Sequence, residues 1–336
     1  MSSPRRTSLL PALAAGLLLL TAACGTSSDD DAGASDDGVS VVNCGRTVAL
    51  DRPVGRVVSV NQPATELLLT LGLRDRIVGA GLGDTNVLPG LKKDLKGLNL
   101  FSEEFPSFES VLATEPDLVY ATFDFTFTDE GIADRKKFAE LGIDVYQSPS
   151  ECTGQDAEQT KRLSLDDLYA EIGDVATLFG VKQRGDALVS DLKKRAATAA
   201  DGLDAKGVTM AWWYSSTKTP YFAGCCGAPG IMTRAVGTTN VFDDLDQLWP
   251  EVSWESVVDR DPDVLVLADL TRGSEGDTAA AKIAFLESNP ATKELSAVKN
   301  KRYIILPGTT MDPSIRNVDG IEKVADGLRQ LGLGSS

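Results

Sequence analysis

Short apolar runs, separated by stretches with helical spacing, set the rhythm of this chain. Residues 57–60, 77–80 and 118–121 carry almost no polar position, and 144–147 forms a further, mixed run. Runs without polar alternation suit strands buried on both faces of a parallel sheet. Between them, Gln62-Pro63 opens a helix through Leu71, since proline is tolerated in a first turn. Gly81-Leu82-Gly83-Asp84 reads as a turn, and a helix through Phe138 and Leu141 precedes 144–147. From Leu165 the period changes. Leu165, Leu168, Ile172, Val175 and Phe179 keep helical spacing up to Gly180. A second helical run from Lys182 carries Ala187, Leu188, Leu192 and Arg195 towards Ala200, is charged on its other faces, and ends at Asp201-Gly202. Beyond it the first rhythm returns. Strands are predicted over 208–213, 264–268 and 303–306, with helices from Ile231, over 280–287 and over 318–331. Strands alternating with helices at this spacing mean parallel sheets with helical crossovers.

One pattern occurs twice and divides the chain. Ser107-Phe108-Glu109-Ser110-Val111 runs on to Glu115-Pro116-Asp117-Leu118-Val119, and Ser253-Trp254-Glu255-Ser256-Val257 runs on to Asp261-Pro262-Asp263-Val264-Leu265. Each copy is one short helix followed by one strand. Ser caps the helix, Glu sits in its first turn, and Pro forbids further helix. Two such units far apart imply two similar α/β lobes.

The N-terminus reads as a processing segment. Arg5 and Arg6 precede an apolar stretch over 9–20, and Thr21-Ala22-Ala23 leads to Cys24. Basic residues, a short apolar stretch and small residues make an export signal, too short to span a bilayer comfortably. Its end resembles the lipobox of bacterial lipoproteins, which implies that Cys24 is acylated and becomes the mature N-terminus. The match departs at Thr21, where lipoproteins prefer Leu; Leu20 lies one position further back. Residues 25–40 are small, polar and acidic, and read as a disordered tether. The folded body begins near Val41. The expected division is a signal peptide over 1–24, the tether over 25–40, a first lobe over 41–180, a connecting helix over 181–202 and a second lobe over 203–336.

Composition narrows the chemistry. The chain of 336 residues is long enough for two domains, and its net charge of −16 argues against nucleic acid or an anionic membrane surface as partner. There is no histidine. That removes His-dependent zinc sites, Ser-His-Asp and Cys-His triads and His acid–base catalysis, while carboxylate and Ser-Lys chemistries survive. A secreted α/β hydrolase would need a G-x-S-x-G elbow, and none is present. A sensor lobe would need a transmembrane segment after the signal.

The chain resembles the substrate-binding proteins of iron–siderophore and cobalamin ABC importers, in their lipoprotein form. The likeness runs over roughly 41–333 and is carried by Arg56-Val57-Val58-Ser59-Val60-Asn61-Gln62, by 109–119, by Gly237-Thr238-Thr239-Asn240-Val241-Phe242 and by 255–267. It implies an α/β fold of two Rossmann-like lobes with mainly parallel sheets, joined by a long rigid helix, with the ligand cleft between them. It also implies that a surface Glu of each lobe, here Glu109 and Glu255, meets arginines of the membrane permease. A first-turn carboxylate is in any case stabilised by the helix dipole, so both residues also have a local reason to be there. The related manganese and zinc binders use His ligands, which this chain lacks.

The expected function is therefore an exported protein, lipid-anchored to the outer face of the cell membrane, that carries an iron–siderophore to an ABC permease and its ATPase. Cobalamin or haem is the alternative cargo. No catalysis, resident cofactor or metal site is expected, and the protein should be a monomer. Ligand loops should lie at the C-terminal ends of the strands. In the first lobe these offer Asn61, Gln62, Phe123 and Phe125; in the second, Trp213, Tyr214 and Tyr221. Arg272 and Arg316 would suit an anionic ligand. Trp212 and Trp213 are adjacent, so only one of them can reach a given side of a strand. Four cysteines besides Cys24 sit in an oxidising compartment and should pair. Cys44 with Cys152 and Cys225 with Cys226 is one scheme, and the crossed pairings stay open.

Overall fold

A computed structural model describes residues 38–83, 87–154 and 157–334. Cys24, most of the expected tether and Asp84 lie outside the described residues.

The described chain opens with a hairpin that the apolar pattern does not announce: β1 Val39–Asn43 and β2 Arg46–Leu50, paired antiparallel. Cys44 and Gly45 make its two-residue turn with φ of 47° and 75°. Positive φ at both turn positions matches the twist of the flanking strands, a geometry usually signalled by Asn-Gly. The hairpin is fastened at its tip. Cys44 is disulfide-bonded to Cys152, 108 positions away. Beside that bond, the Asn43 side chain donates to Gln147 O at 2.7 Å and accepts from Gln147 N at 3.0 Å. Replacing both Cys44 and Cys152 by Ala should cost about 2–4 kcal/mol, because the bond closes a long loop in the unfolded chain. Urea unfolding of that variant measures it; a midpoint equal to wild type would show the hairpin to be held by hydrogen bonds and packing alone.

The first sheet contains β3 Val57–Val60, β4 Ile77–Gly81, β5 Leu118–Ala121 and β6 Asp144–Gln147, all parallel, in the order β4-β3-β5-β6. Every residue of β3 and β5 is buried, as their unbroken apolar runs require. The crossovers are α1 Gln62–Thr70, the single-turn α2 Lys92–Leu95, α3 Phe108–Leu112 and α4 Arg135–Ala139.

Two helices then carry the chain across. In α5, Leu165–Leu178, Ser164 and Asp167 form a reciprocal capping box at the N-terminus. Glu171 of α5 is buried against the first sheet, where it accepts from Tyr120 Oη at 2.7 Å and Ser148 Oγ at 2.9 Å. Burial pushes its carboxyl up to about 7. Gly180, at φ 66°, turns the chain into α6, Lys182–Ala200, which at 1.5 Å per residue spans roughly 28 Å. Near its start Arg184 donates to Leu71 O, at the end of α1. Near its end Arg195 is paired with Asp319 and Glu322 of the C-terminal helix. One helix thus touches both lobes.

The second lobe repeats the first. Its strands are β7 Thr209–Ser215, β8 Tyr221–Phe222, β9 Thr239–Asn240, β10 Val264–Asp269 and β11 Tyr303–Pro307. β11, β10 and β7 run parallel, and the far edge of β7 takes β9 parallel at its start and β8 antiparallel near its end. The order β9-β7-β10-β11 therefore mirrors β4-β3-β5-β6. Helices α7 Ala228–Ala235, α8 Trp254–Arg260, α9 Ala279–Ser288, α10 Ser296–Lys299 and α11 Arg316–Gln330 complete it.

The doubled motif does the same work in each lobe. Ser107 and Ser253 cap α3 and α8 by accepting from Ser110 N and Ser256 N at 3.2 and 3.1 Å. Glu115 and Asp261 each turn through positive φ, at 50° and 34°, directly before the proline. Asp117 then accepts from Gly55 N and Arg56 N, both at 2.9 Å, just ahead of β3. Asp263 likewise accepts from Thr209 N and Oγ1, both at 2.9 Å, at the start of β7. The Pro-Asp step is thus a clasp that fixes the neighbouring strand's register. Glu109 and Glu255 remain exposed on the first turns of α3 and α8.

Candidate functional site

The C-terminal ends of the two sheets border an open cavity of about 690 Å³ and a second of about 460 Å³, which share Phe123, Tyr214, Arg272 and Asp312. The walls are aromatic. From the first lobe, Phe123 and Phe125 follow β5, and Phe125, 43% exposed, meets the edge of Phe105 with ring centres 5.1 Å apart. From the second, Tyr214 lies against Trp249 at 4.8 Å. Tyr221 also faces the larger cavity, with its hydroxyl bonded to Glu251. Gln62 is buried and lines the smaller cavity.

The charged groups differ from the sequence expectation. Arg272 reaches the cavities, with its guanidinium 5.6 Å above the Tyr214 ring, but it is already paired with the buried Asp277 at 2.7 Å. The remaining charged lining is acidic: Asp124 on the larger cavity, Glu104 and Asp269 on the smaller, and Asp312 on both. Burial, helped by the nearby Glu104, pushes the Asp312 carboxyl up to about 7, against the pull of Arg316 and Arg272. Burial and then the Asp312 charge also raise the Tyr214 phenol.

Three expected wall residues take other places. Trp213 is wholly buried, stacked near Phe222 and edge-on to Trp254, with its indole N–H donated to Ser215 O and Ser216 O. β7 runs on to Ser215, so the strand's mouth comes at Tyr214, and Trp213 stays one pleat inside. Trp212, on the opposite face, is buried as well and donates to Thr233 Oγ1 at 2.9 Å. Arg316 is not among the residues lining either cavity; it forms a buried pair with Glu66 of α1 at 2.6 Å. Asn61 is buried as a bracket: at φ 73° its Oδ1 accepts from Thr122 N and Phe123 N at 3.2 Å, and its Nδ2 donates to Glu104 at 2.9 Å. It shapes the wall without forming it. Asp124 and Asp312 belong to strand-end loops expected at the cleft, 122–125 and 311–316, whereas Trp249, Phe105 and Glu104 lie outside every loop the sequence pointed to. Trp249 follows the irregular stretch 241–248, where no strand end points to it.

Behind Trp249, Cys225 and Cys226 form a vicinal disulfide and cluster with Leu248. The loop that carries them is locked: Cys225 N donates to Leu245 O, Gly224 N to Leu248 O, and Leu163 N to Cys226 O. The four cysteines among the described residues are therefore committed to disulfides. Among the described residues no group of His, Cys, Asp and Glu is placed to hold a metal ion.

Two matched lobes, a helix reaching both and an aromatic cavity at facing strand ends describe a solute-binding architecture. The profile of the periplasmic binding protein family matches residues 57–310, most of the chain. The chain belongs to the periplasmic binding protein family. Relatives agree across nearly its whole length. An uncharacterised ABC transporter substrate-binding lipoprotein of Bacillus subtilis is 23% identical over 290 residues, 84% of this chain and 82% of the relative. The vitamin B12-binding protein of Vibrio cholerae is 24% identical, covering 82% of this chain and 90% of the relative. Among solved structures, an ABC-type Fe3+-hydroxamate transport system of Saccharomonospora viridis superposes with a TM-score of 0.73 at 25% identity, over 86% of this chain and 98% of that one. This periplasmic binding protein is thus the extracytoplasmic, substrate-binding part of an ABC importer, working with a permease and an ATPase. No helix among its described residues is long and apolar enough to cross a membrane.

Proposed function

We propose that the protein is the lipid-anchored receptor of an iron–siderophore importer. It binds a preformed ferric chelate between its lobes and presents it to the permease through Glu109 and Glu255, without catalysis. The observation that carries this reading is the aromatic cavity whose described lining offers no metal-binding cluster. Such a site suits iron that arrives already wrapped in its own ligands, with aromatic faces holding an apolar chelate shell. The likeness to the Fe3+-hydroxamate transport structure supports the same cargo. Cobalamin is the second reading, favoured by the likeness to the Vibrio cholerae protein. Haem is the other alternative: ferric haem is held axially by His or by a phenolate in many proteins, and with no His in the chain Tyr214 or Tyr221 of the wall would supply the ligand.

Trp249 on the cavity wall supplies the test. Titration with ferric siderophores, cobalamin and haem should give saturable quenching of tryptophan fluorescence with at least one ferric siderophore. Binding of an amino acid or a sugar, with no response to any of that set, would overturn the cargo class.

A further inference from the structure

The charge of the cavity walls deepens the siderophore reading, on which this inference rests. Among the described residues lining the two cavities, Arg272 is the only cation, and Asp277 already holds it. Arg316, the other arginine near Asp312, is taken by Glu66. The one cation of the wall is therefore already charge-paired, with only part of its guanidinium left for a catecholate or carboxylate chelate. The wall does have a carboxylate at the junction. Asp312 is shared by both cavities, and its backbone is fixed by its own carbonyl, which accepts from Asn317 Nδ2 at 2.8 Å and Ser314 Oγ at 3.3 Å. Its loop thus holds one carboxylate on a cavity wall that also carries the aromatic pairs Phe105–Phe125 and Tyr214–Trp249.

We propose that Asp312 selects the charge of the chelate: it accepts a hydrogen bond from a cationic group on the ligand, so the cleft prefers ferric hydroxamates bearing an ammonium over neutral ones and rejects anionic chelates. A tris-hydroxamate neutralises Fe3+ within its own coordination sphere, leaving a side-arm ammonium as the net charge. The aromatic faces would hold the neutral chelate shell and also favour a nearby cation. A tris-catecholate, with excess negative charge, would meet Asp124, Glu104, Asp269 and Asp312 against the single, already paired Arg272.

A pH dependence follows. Glu104 from the loop before α3, Arg272 from the loop after β10, Arg316 from the first turn of α11 and Tyr214 from β7 face Asp312. With these neighbours the carboxyl sits at about 7 before ligand arrives. Above that value Asp312 is charged and ready for the ammonium. Below it, the cationic ligand must first displace a proton, so the preference fades as pH falls. The alkylammonium keeps its charge throughout this window, since its ordinary value is near 10.4.

The probes are the ferric complexes of one linear trihydroxamate, with its terminal amine free and with that amine acetylated, and a ferric tris-catecholate. Affinities for the purified full chain are measured at pH 8 and pH 5.5. At pH 8 the free-amine chelate should bind roughly tenfold to hundredfold more tightly than the acetylated one, the range of a charged hydrogen bond. At pH 5.5 the gap should close, and the catecholate should bind weakest at pH 8. Asp312→Asn, nearly the same shape, should bring the free-amine chelate down to the acetylated level at pH 8. Equal affinities of the two hydroxamates for wild type at pH 8 overturn the charge assignment and leave the siderophore reading standing; this comparison needs no variant to fold. A preference that survives in Asp312→Asn overturns the role of that residue. If no ferric chelate binds and cobalamin or haem does, the siderophore reading itself falls.

Discussion

Arg316→Ala is expected to destabilise the protein by about 3–5 kcal/mol, the usual cost of stranding one member of a buried ion pair. The guanidinium makes two contacts with Glu66, whose side chain is completely inaccessible. Glu66 also accepts from Leu88 N at 2.8 Å and Gln62 Nε2 at 3.2 Å, so the carboxylate is the hub of a small buried network. The two residues lie 250 positions apart, on α1 of the first lobe and α11 of the second. The pair therefore ties the lobes directly, beside the tie that α6 makes through Arg184 and Arg195. Without Arg316, the Glu66 charge would remain buried against two weaker donors, or would have to take up a proton. Were Arg316 instead a ligand-binding residue at the cleft mouth, its loss would weaken binding and leave stability nearly intact. Urea unfolding separates the two cases. A variant as stable as wild type, with reduced ligand affinity, would return Arg316 to the binding site. Replacing the whole pair by apolar residues of similar volume should cost much less than the single change, because no charge is then stranded.

How far the sequence reaches is clearest along β5 and β10. Their apolar runs, each preceded by Pro-Asp and a Ser-capped turn, specify helix and strand together, and the structure has both in each lobe, adding the Asp clasp that the pattern alone did not reveal. The α5–α6 pair was equally legible, because helical spacing breaks only at Gly180, where φ is positive. Pairings that depend on distant partners were not legible. The β1–β2 hairpin turns at Cys-Gly and is held by Gln147 and Cys152, about a hundred positions later. β8 and β9 are two-residue strands that exist because the edge of β7 is open. The cleft was half visible. Strand ends predicted Phe123, Phe125, Tyr214 and Arg272 at the mouth, but whether an arginine meets a ligand or a buried glutamate depends on Glu66, 250 positions away. For Trp213 the error was a single residue of strand length, enough to turn a wall into core.

Changing both Glu109 and Glu255 to Lys should abolish uptake in cells while leaving ligand affinity and thermal stability of the purified protein nearly intact. Both carboxylates are exposed, each in the first turn of a short helix capped by Ser107 or Ser253. The two helices occupy equivalent places in lobes with the same strand order. One acidic point per lobe suits recognition by two matched basic points on the permease. Charges at the rim of an interface mainly steer association and fix register. On the proposed docking through these two residues, reversing both would replace attraction with repulsion at each contact, so docking should fail even with ligand bound. Stability should move by under about 1 kcal/mol per site, the limit of a first-turn charge acting on the helix dipole at a surface. Each single reversal should leave partial transport whose salt dependence differs from wild type, since one contact survives. Uptake by the double variant at the wild-type rate would leave both residues as helix-start carboxylates, and would move the docking surface elsewhere on the two lobes.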